Sequence, residues 1–201
     1  MRALVIRALR HEISTWCSLG RWVARRPDVG PGGTPFAYRG PIVAPIVVLT
    51  VVSVIEVVAV DMVLAPWPVP RRILLVLGIW GALFMLGLLA SVTVRPHVVA
   101  PSGLRIRHGA SLDVHVPWDA VASAGRLRRS GDGRTVQLVG DALHVLVSGQ
   151  TTGVVTLHRP VPATIRGTRA EVTELRFHAD DAAGMVAAIR ARMSAATASS
   201  A

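Results

Sequence analysis

The chain has 201 residues, 51% of them hydrophobic, and a mean hydropathy of +0.49, which is high for a wholly soluble protein. All 22 basic residues are arginine and the net charge is +10. A single cysteine, Cys17, excludes an intramolecular disulfide and a cysteine-based zinc site, and it fits a reducing, cytosolic environment.

The first 40 residues carry seven arginines against two acids. Apolar residues recur there at helical spacing, at Val5, Leu9, Ile13, Trp16 and Val23. We predict an amphipathic helix that lies on the inner leaflet, with its arginines drawn to anionic lipid, or that packs on the protein's own soluble domain. The glycines and prolines of residues 28–35 predict a linker that completes the segment 1–40.

Two long apolar runs follow, over residues 42–64 and 73–94. The first has 23 residues, so a helix there would be about 34 Å long and would cross a hydrocarbon core of about 30 Å. The connection over residues 65–72 contains three prolines, which end a helix, and Trp67, which suits the membrane interface. We predict a transmembrane hairpin within residues 41–97. Core helices of a soluble protein are the alternative, but runs without a polar face would need a larger core than this chain offers.

Arginines near the two runs predict their orientation. Seven precede the first run, two lie in the connection, and Arg95, Arg105 and Arg107 follow the second. Because arginine is enriched on the cytoplasmic side, we expect a multi-pass protein of the inner (plasma) membrane with both termini in the cytoplasm. No small-residue cleavage pattern follows the first run, so a cleaved signal peptide is not expected.

Two carboxylates lie inside the first run, in the segment VVSVIEVVAVDMVL. Near the bilayer centre a carboxylate costs about 2.5 to 3.5 kcal/mol on insertion scales and needs a partner. Asp61 is close to the end of the run, and we expect it to pair with an arginine of the connection or with headgroups. Glu56 is about 12 Å inside, level with residues 78–81, where Trp80 offers an indole N–H. Glu56 either joins the two helices as a protonated, hydrogen-bonded residue, or serves ion movement or an oligomer contact.

Beyond the second run the apolar residues alternate with polar ones, which predicts strands at 104–108 and 112–116. A three-residue loop between them pairs Ile106 with Val114 on the buried side and Arg107 with Asp113 on the wet side. A two-residue loop would pair Arg107 with an apolar residue, so the hydrophobic pattern favours the longer loop.

The rest of the chain predicts further strands and one helix. The strands are expected at 125–129, 135–139, 143–147, 154–158 and 172–178, after a helical turn at 117–122. Residues 180–193 predict a helix, because acids occupy the first turn and arginines the last, and residues 194–201 predict a disordered tail. The expected fold class is an α+β membrane protein with an N-terminal amphipathic helix, a two-helix hairpin, and a barrel or sandwich of about seven strands capped by one helix.

Residues 98–193 resemble a known family. The segments GLRIRHG, VPWDAV and FHADDAAGMVAAI, together with about seven strands and a C-terminal helix, resemble the bacterial pleckstrin-homology-like (bPH) domains that follow membrane hairpins in small bacterial proteins. The resemblance implies a cytoplasmic PH-like binding or scaffolding domain and not an enzyme. Lipid-binding members of this family place several basic residues around the first hairpin loop. Here that loop is Gly-Ala-Ser, flanked by Arg107 and His108.

The most basic short stretch of the C-terminal portion runs from residue 126 to residue 134, at the expected tip of a hairpin. The candidate residues for binding an anionic lipid or an acidic partner are Arg126, Arg128, Arg129, Arg134, Arg105 and Arg107. A solvated surface is the alternative. Nucleic-acid binding is not expected, because no aromatic stacking platform accompanies the arginines.

Sequence motifs for chemistry are lacking. The seven histidines show no ligand spacing, and no nucleophile elbow, zinc-protease pair, phosphate-binding loop or dinucleotide fingerprint is present. We therefore predict no metal, no cofactor and no enzymatic activity. The expected function is that of a membrane protein that presents a binding or scaffolding domain to a protein partner, a second copy or anionic lipid. The alternative is a subunit of a transport or proton-coupled assembly that uses Glu56.

Overall fold

The computed structural model describes residues 13, 15–109, 111–165 and 167–199. The chain divides into two units. One contains the chain up to Arg26 together with Ile42–Ser91, and the other contains Pro27–Pro41 together with Val92–Ala201. Val5 and Leu9 of the predicted amphipathic helix lie outside the described residues.

The described residues form three helices that belong wholly or mostly to the first unit: α1 over residues 15–23, α2 over Gly40–Val63 and α3 over Pro68–Val94. Helices of 24 and 27 residues are about 36 and 40 Å long, and both are long and apolar enough to span a membrane. α3 begins five residues before the predicted run. Its first turn contains Pro68 and Pro70, and proline is tolerated there because N–H groups of the first turn have no acceptor within the helix.

α2 and α3 contact each other at Val57 and Gly78, and Asp61 of α2 pairs with Arg71 of α3. On α2 the partly buried residues recur every three or four positions, at Ile46, Thr50, Ser53, Val57 and Asp61. Val57 fills the space left by Gly78 on α3, because a Cβ atom there would be only 2.3 Å from Cγ2 of Val57. A glycine at this contact lets the two backbones approach closely, as small residues do between membrane helices.

α1 turns its polar side to the rest of the first unit. Thr15 and Ser18 are buried, and a Cβ atom at Gly87 of α3 would be 2.6 Å from Cγ2 of Thr15. Of the described members of the predicted apolar face, Ile13 and Val23 are 61% and 75% exposed, and Trp16 is partly buried. Most of this face is therefore not buried within its own unit.

The described residues of the second unit form nine strands in two sheets. The strands are β1 (Thr34–Phe36), β2 (His97–Ala100), β3 (Gly103–His108), β4 (Leu112–Val116), β5 (Val121–Ser130), β6 (Val136–Val139), β7 (Ala142–Val145), β8 (Gln150–Ile165) and β9 (Thr168–Phe177). Their orders are β1-β2-β3-β4 and β5-β8-β9-β7-β6, and every pairing is antiparallel except β7 with β9. Helix α4 (Ala182–Ser199) ends the described chain. The α+β class is confirmed, but the described strands form two open sheets and not a closed barrel.

The core of this unit lies between the two sheets and α4. Leu104 and Ile106 from the first sheet, Leu175 and Phe177 from the second, and Ile189 from α4 are all fully buried. Burying one such side chain contributes about 1.5 to 3 kcal/mol, so these contacts are the main source of the unit's stability.

The first predicted hairpin is confirmed in its register. Ile106 lies opposite Val114, Arg107 opposite Asp113 and His108 opposite Leu112, which leaves a three-residue loop that begins with Gly109 at φ +49°. The prediction that Arg107 faces water is wrong. Its side chain is 1% exposed, because the segment before α2 covers this part of β3.

Several elements differ from their predictions. β1 and β2 were not predicted, because strands of three and four residues are too short to show an alternating pattern. The segment 126–134 is not a hairpin tip, since β5 and β6 lie at opposite edges of the five-stranded sheet. α4 continues through Ser199 into the predicted tail, whose alanines favour helix.

Candidate functional site

A groove lies where the outer part of β5 meets the start of α4. Its volume is about 610 Å³. It is lined by Arg126, Arg128, Thr152, Ala179, Asp180, Asp181, Ala182 and Ala183. The two arginines stand two positions apart on one strand, which is the spacing that brings side chains to one face of a sheet. The groove therefore combines two exposed guanidinium groups with the N-terminus of an 18-residue helix.

The two aspartates of the groove are held by backbone N–H groups. Asp181 Oδ1 accepts the N–H of Gly184 at 2.8 Å and so caps α4. Both carboxylate oxygens of Asp180 accept the N–H of Gly40, the first residue of α2, at 3.1 Å. These bonds fix the position of the acids along one wall.

The arginines are less constrained. Nη2 of Arg128 donates to Oε1 of Gln150 at 3.3 Å, and no described residue forms a hydrogen bond or ion pair with the Arg126 side chain. Arginine presents a planar fork of donors that matches carboxylate and phosphate oxygens. The two aspartates offset the charge of the two arginines, so charge alone does not favour a polyanion in this groove.

The other predicted arginines are distributed differently. Arg129 is exposed further along β5, and Arg134 is exposed in the loop before β6. Arg105 is on the other sheet, where its Nε donates to Oδ1 of Asp113 at 3.1 Å. Arg107, on the same sheet, is buried. The structure thus brings Arg126 and Arg128 together and separates them from Arg105 and Arg107.

Arg107 joins the segment before α2 to the sheet. Its Nη1 donates to the backbone oxygen of Asp28 at 2.6 Å, and its Nη2 is 3.6 Å from Oδ2 of the same residue. Its Nε is 3.5 Å from Oδ1 of Asp113. A guanidinium held in this way is part of the domain's interior and is not available to a ligand.

Next to Arg107 lies a polar cluster that no sequence motif indicates. Nδ1 of His97 accepts the N–H of Arg107 at 3.1 Å, so its Nε2 carries the proton and donates to the oxygen of His178 at 2.9 Å. The hydroxyl of Tyr38 accepts the N–H of Gly109 at 2.7 Å, and its ring centroid is 4.7 Å from that of His97. The only sequence signal was that Tyr38 is the sole tyrosine of the chain.

Burial determines the protonation of this cluster. It lowers the pKa of His97 to about 3 and raises the pKa of Tyr38 to about 12. Burial also lowers the pKa of His108 and of His178. His97 and Tyr38 are therefore neutral near pH 7, and the cluster stabilises the fold without contributing a charge.

The predicted intramembrane residues are also located. Asp61 accepts a bidentate pair of hydrogen bonds from Arg71, with Nε–Oδ1 and Nη2–Oδ2 distances of 2.7 Å. The Trp80 ring stacks on Phe84 with centroids 6.2 Å apart. The side chain of Glu56 is exposed, and neither Trp80 nor any other described residue forms a hydrogen bond or ion pair with it.

Among the residues that the structure describes, no group of three or more histidine, cysteine, aspartate or glutamate side chains is arranged to hold a metal ion. No protein-family model, curated protein or solved structure matches the chain.

Proposed function

We propose that this chain is a non-enzymatic integral membrane protein in which α2 and α3 form a transmembrane hairpin that carries a cytoplasmic PH-like domain. That domain would bind anionic lipid or a protein partner through the groove of Arg126 and Arg128. The observation that carries the proposal is that two long apolar helices with almost no buried residues are inserted between two paired strands of one β domain.

Burial argues for the membrane. None of the most apolar stretch of α2 is buried, and only 11% of that of α3 is buried. The core helix of a soluble protein would bury its apolar side chains against the rest of the fold. Exposing a large apolar side chain to water forgoes about 1.5 to 3 kcal/mol, and these two helices expose many such side chains. Lipid is the solvent that makes such a surface stable.

Connectivity argues that both ends of the hairpin face the same side. β1 precedes α2 and β2 follows α3, and Thr34 pairs with Val99 and Phe36 with His97. The chain therefore leaves one domain and returns to the same domain, so both helix ends at that domain face one compartment. Arg39 and Arg95 flank these ends, and arginine favours the cytoplasmic side.

The fold is consistent with a binding module. Two mainly antiparallel sheets followed by one C-terminal helix support the PH-like proposal, although the nine described strands exceed the seven that the resemblance implies. Function is argued from the site and not from the fold. The groove offers two arginines, a threonine and a helix N-terminus, which is a set of donors for an anionic oxygen group.

Membrane insertion is tested by carbonate extraction of native membranes and by protease access to tags at both termini. The proposal predicts that the protein stays in the membrane pellet and that both tags are cleaved only after the cytoplasmic face is exposed. Release by carbonate would refute the membrane hairpin.

Ligand binding is tested by quantifying the anionic phospholipid and the cross-linked protein that purify with the full chain. R126A/R128A should reduce the bound ligand by about tenfold, which corresponds to a loss of about 1.4 kcal/mol of binding free energy. R159A/R169A is the charge-matched control, because both residues are exposed outside the groove and Arg159 pairs with Asp119. Loss of lipid alone identifies a lipid ligand and loss of one protein identifies a partner. An equal loss in both variants would reject the groove.

A second candidate function rests on Glu56. An exposed carboxyl without a partner in its own chain is what a proton-coupled assembly would use, since intramembrane acids often mark ion pathways. Two helices do not enclose an aqueous path, so this function requires further copies or another subunit. Proton uptake by proteoliposomes that is abolished by E56Q would support it, and equal uptake by the two proteins would reject it.

A further inference from the structure

Glu56 lies on a face of α2 that is not covered by α3. Val57, the next residue, packs against Gly78, and each step along a helix turns the side chain by about 100°. Leu49, Val52 and Val63 share the Glu56 face and are 57%, 44% and 69% exposed. We call this surface the Glu56 face. It is apolar apart from one carboxyl group.

This face needs a partner if the hairpin spans a membrane, and the inference therefore rests on the proposed function. A carboxyl at this depth is costly unless it finds hydrogen bonds. The other intramembrane acid, Asp61, has them from Arg71, whereas none of the described residues supplies them to Glu56. Another molecule can supply the donors that the described residues do not.

We propose that the Glu56 face binds the same face of a second copy of this chain, with the two Glu56 carboxyls hydrogen-bonded to each other. Two copies inserted with the same topology place their Glu56 residues at the same depth, so the two groups can meet on a two-fold axis. A protonated carboxyl has one donor and further acceptor capacity, which makes it self-complementary.

A small residue permits this contact. Ala59 is exposed and lies three positions after Glu56, which places it within about 60° of Glu56 on the side away from Val57. Small residues at a membrane interface let helix backbones approach, and the approach brings short side chains into hydrogen-bonding range. A helix of a different protein would need a polar group at this depth, whereas a second copy of this chain has its own Glu56 there.

The test is disulfide cross-linking in native membranes, in a full-length Cys17→Ser background that removes the only native cysteine. Val52→Cys and Val60→Cys probe the Glu56 face, and Val54→Cys and Val58→Cys probe the other exposed side of α2. The proposal predicts covalent dimers of this chain from the first pair of variants and at least about tenfold less from the second, because membrane helix contacts are specific to one face.

Substitutions at Glu56 in the Val52→Cys variant test the carboxyl itself. E56L should lower the dimer yield about tenfold, because it removes a pair of interhelical hydrogen bonds. E56Q should retain most of the yield, because an amide also donates and accepts hydrogen bonds. V54L is the control for added bulk on the opposite side and should leave the yield unchanged.

Several outcomes would overturn the proposal. Equal cross-linking from both faces, a cross-linked product with a different protein, or a yield that E56L does not change would each reject the second copy as the occupant. These results leave the membrane proposal intact if the protein stays in the carbonate pellet. Release into the carbonate supernatant would instead reject the membrane hairpin and the paired carboxyls together.

Discussion

Acid should destabilise the β domain through His97. Burial lowers the pKa of His97 to about 3 in the folded protein, whereas an unfolded histidine titrates near 6.5. Between these values the unfolded chain binds more protons at this residue than the folded chain does. The stability that neutral His97 contributes is therefore fully present above about pH 6.5 and is lost as the pH falls towards 3.

The magnitude follows from the two pKa values. At pH 5 the unfolded histidine is mostly protonated and the folded one is not. Because pH 5 is about 1.5 units below 6.5, the free energy of unfolding should fall by about 2 kcal/mol at this residue. The pKa values of His108, His144 and His178 are lowered in the same direction, so the wild-type protein should lose more than His97 alone predicts.

The variant His97→Gln isolates the contribution of His97. Glutamine keeps one acceptor for the N–H of Arg107 and one donor for the oxygen of His178, but it does not titrate. Urea unfolding of the full chain in mild detergent, followed by pulse proteolysis of the β domain at pH 7 and pH 5, measures the free energy of unfolding. The loss between the two pH values should be about 2 kcal/mol smaller in the variant. An equal loss in both proteins would refute the reasoning.

Three further substitutions test the packing of the two units. Tyr38→Phe removes the only acceptor that the structure shows for the buried N–H of Gly109. It should lower the free energy of unfolding by about 1 to 3 kcal/mol in the same assay. No change in stability would mean that water replaces the hydroxyl. Arg107→Ala should cost about 3 to 5 kcal/mol and increase proteolysis of the segment before α2, since the guanidinium holds that segment to β3; a stable variant with unchanged cleavage would contradict this role. Gly78→Ile should separate the two helices, because its Cβ atom would be 2.3 Å from Val57. A pair of cysteines placed across the hairpin should then cross-link less. Unchanged cross-linking would disprove the close contact.

The candidate site was only partly predictable. Arginine at positions 126 and 128 was visible as charge, and the strand spacing explains why both side chains line the groove. The opposite wall comes from residues 180–183, about fifty positions later, and only the pairing of β5 with β8 and the packing of α4 bring it there. The sequence therefore does not indicate that these two sets of residues lie together in the fold.

Arg107 shows the same limit for a single residue. Its alternation with Ile106 correctly predicts opposite faces of β3 and the partner Asp113. Alternation distinguishes the two faces of a sheet, but it does not tell whether a second segment covers the outer one. Residues 27–41 cover it, and their glycines and prolines gave no strand signal for β1.

Local properties of the chain determined the two apolar helices, the β3–β4 hairpin and the C-terminal helix by themselves. Helix length, proline positions and side-chain alternation are encoded within about twenty neighbouring residues, and the apolar runs leave little choice of element. The tertiary structure decided the insertion of the hairpin between β1 and β2, the burial of His97 and Arg107, and the exposure of Glu56. Each of these depends on which surfaces meet after the chain folds, and burial in turn sets the cost of a charge or an unpaired polar group.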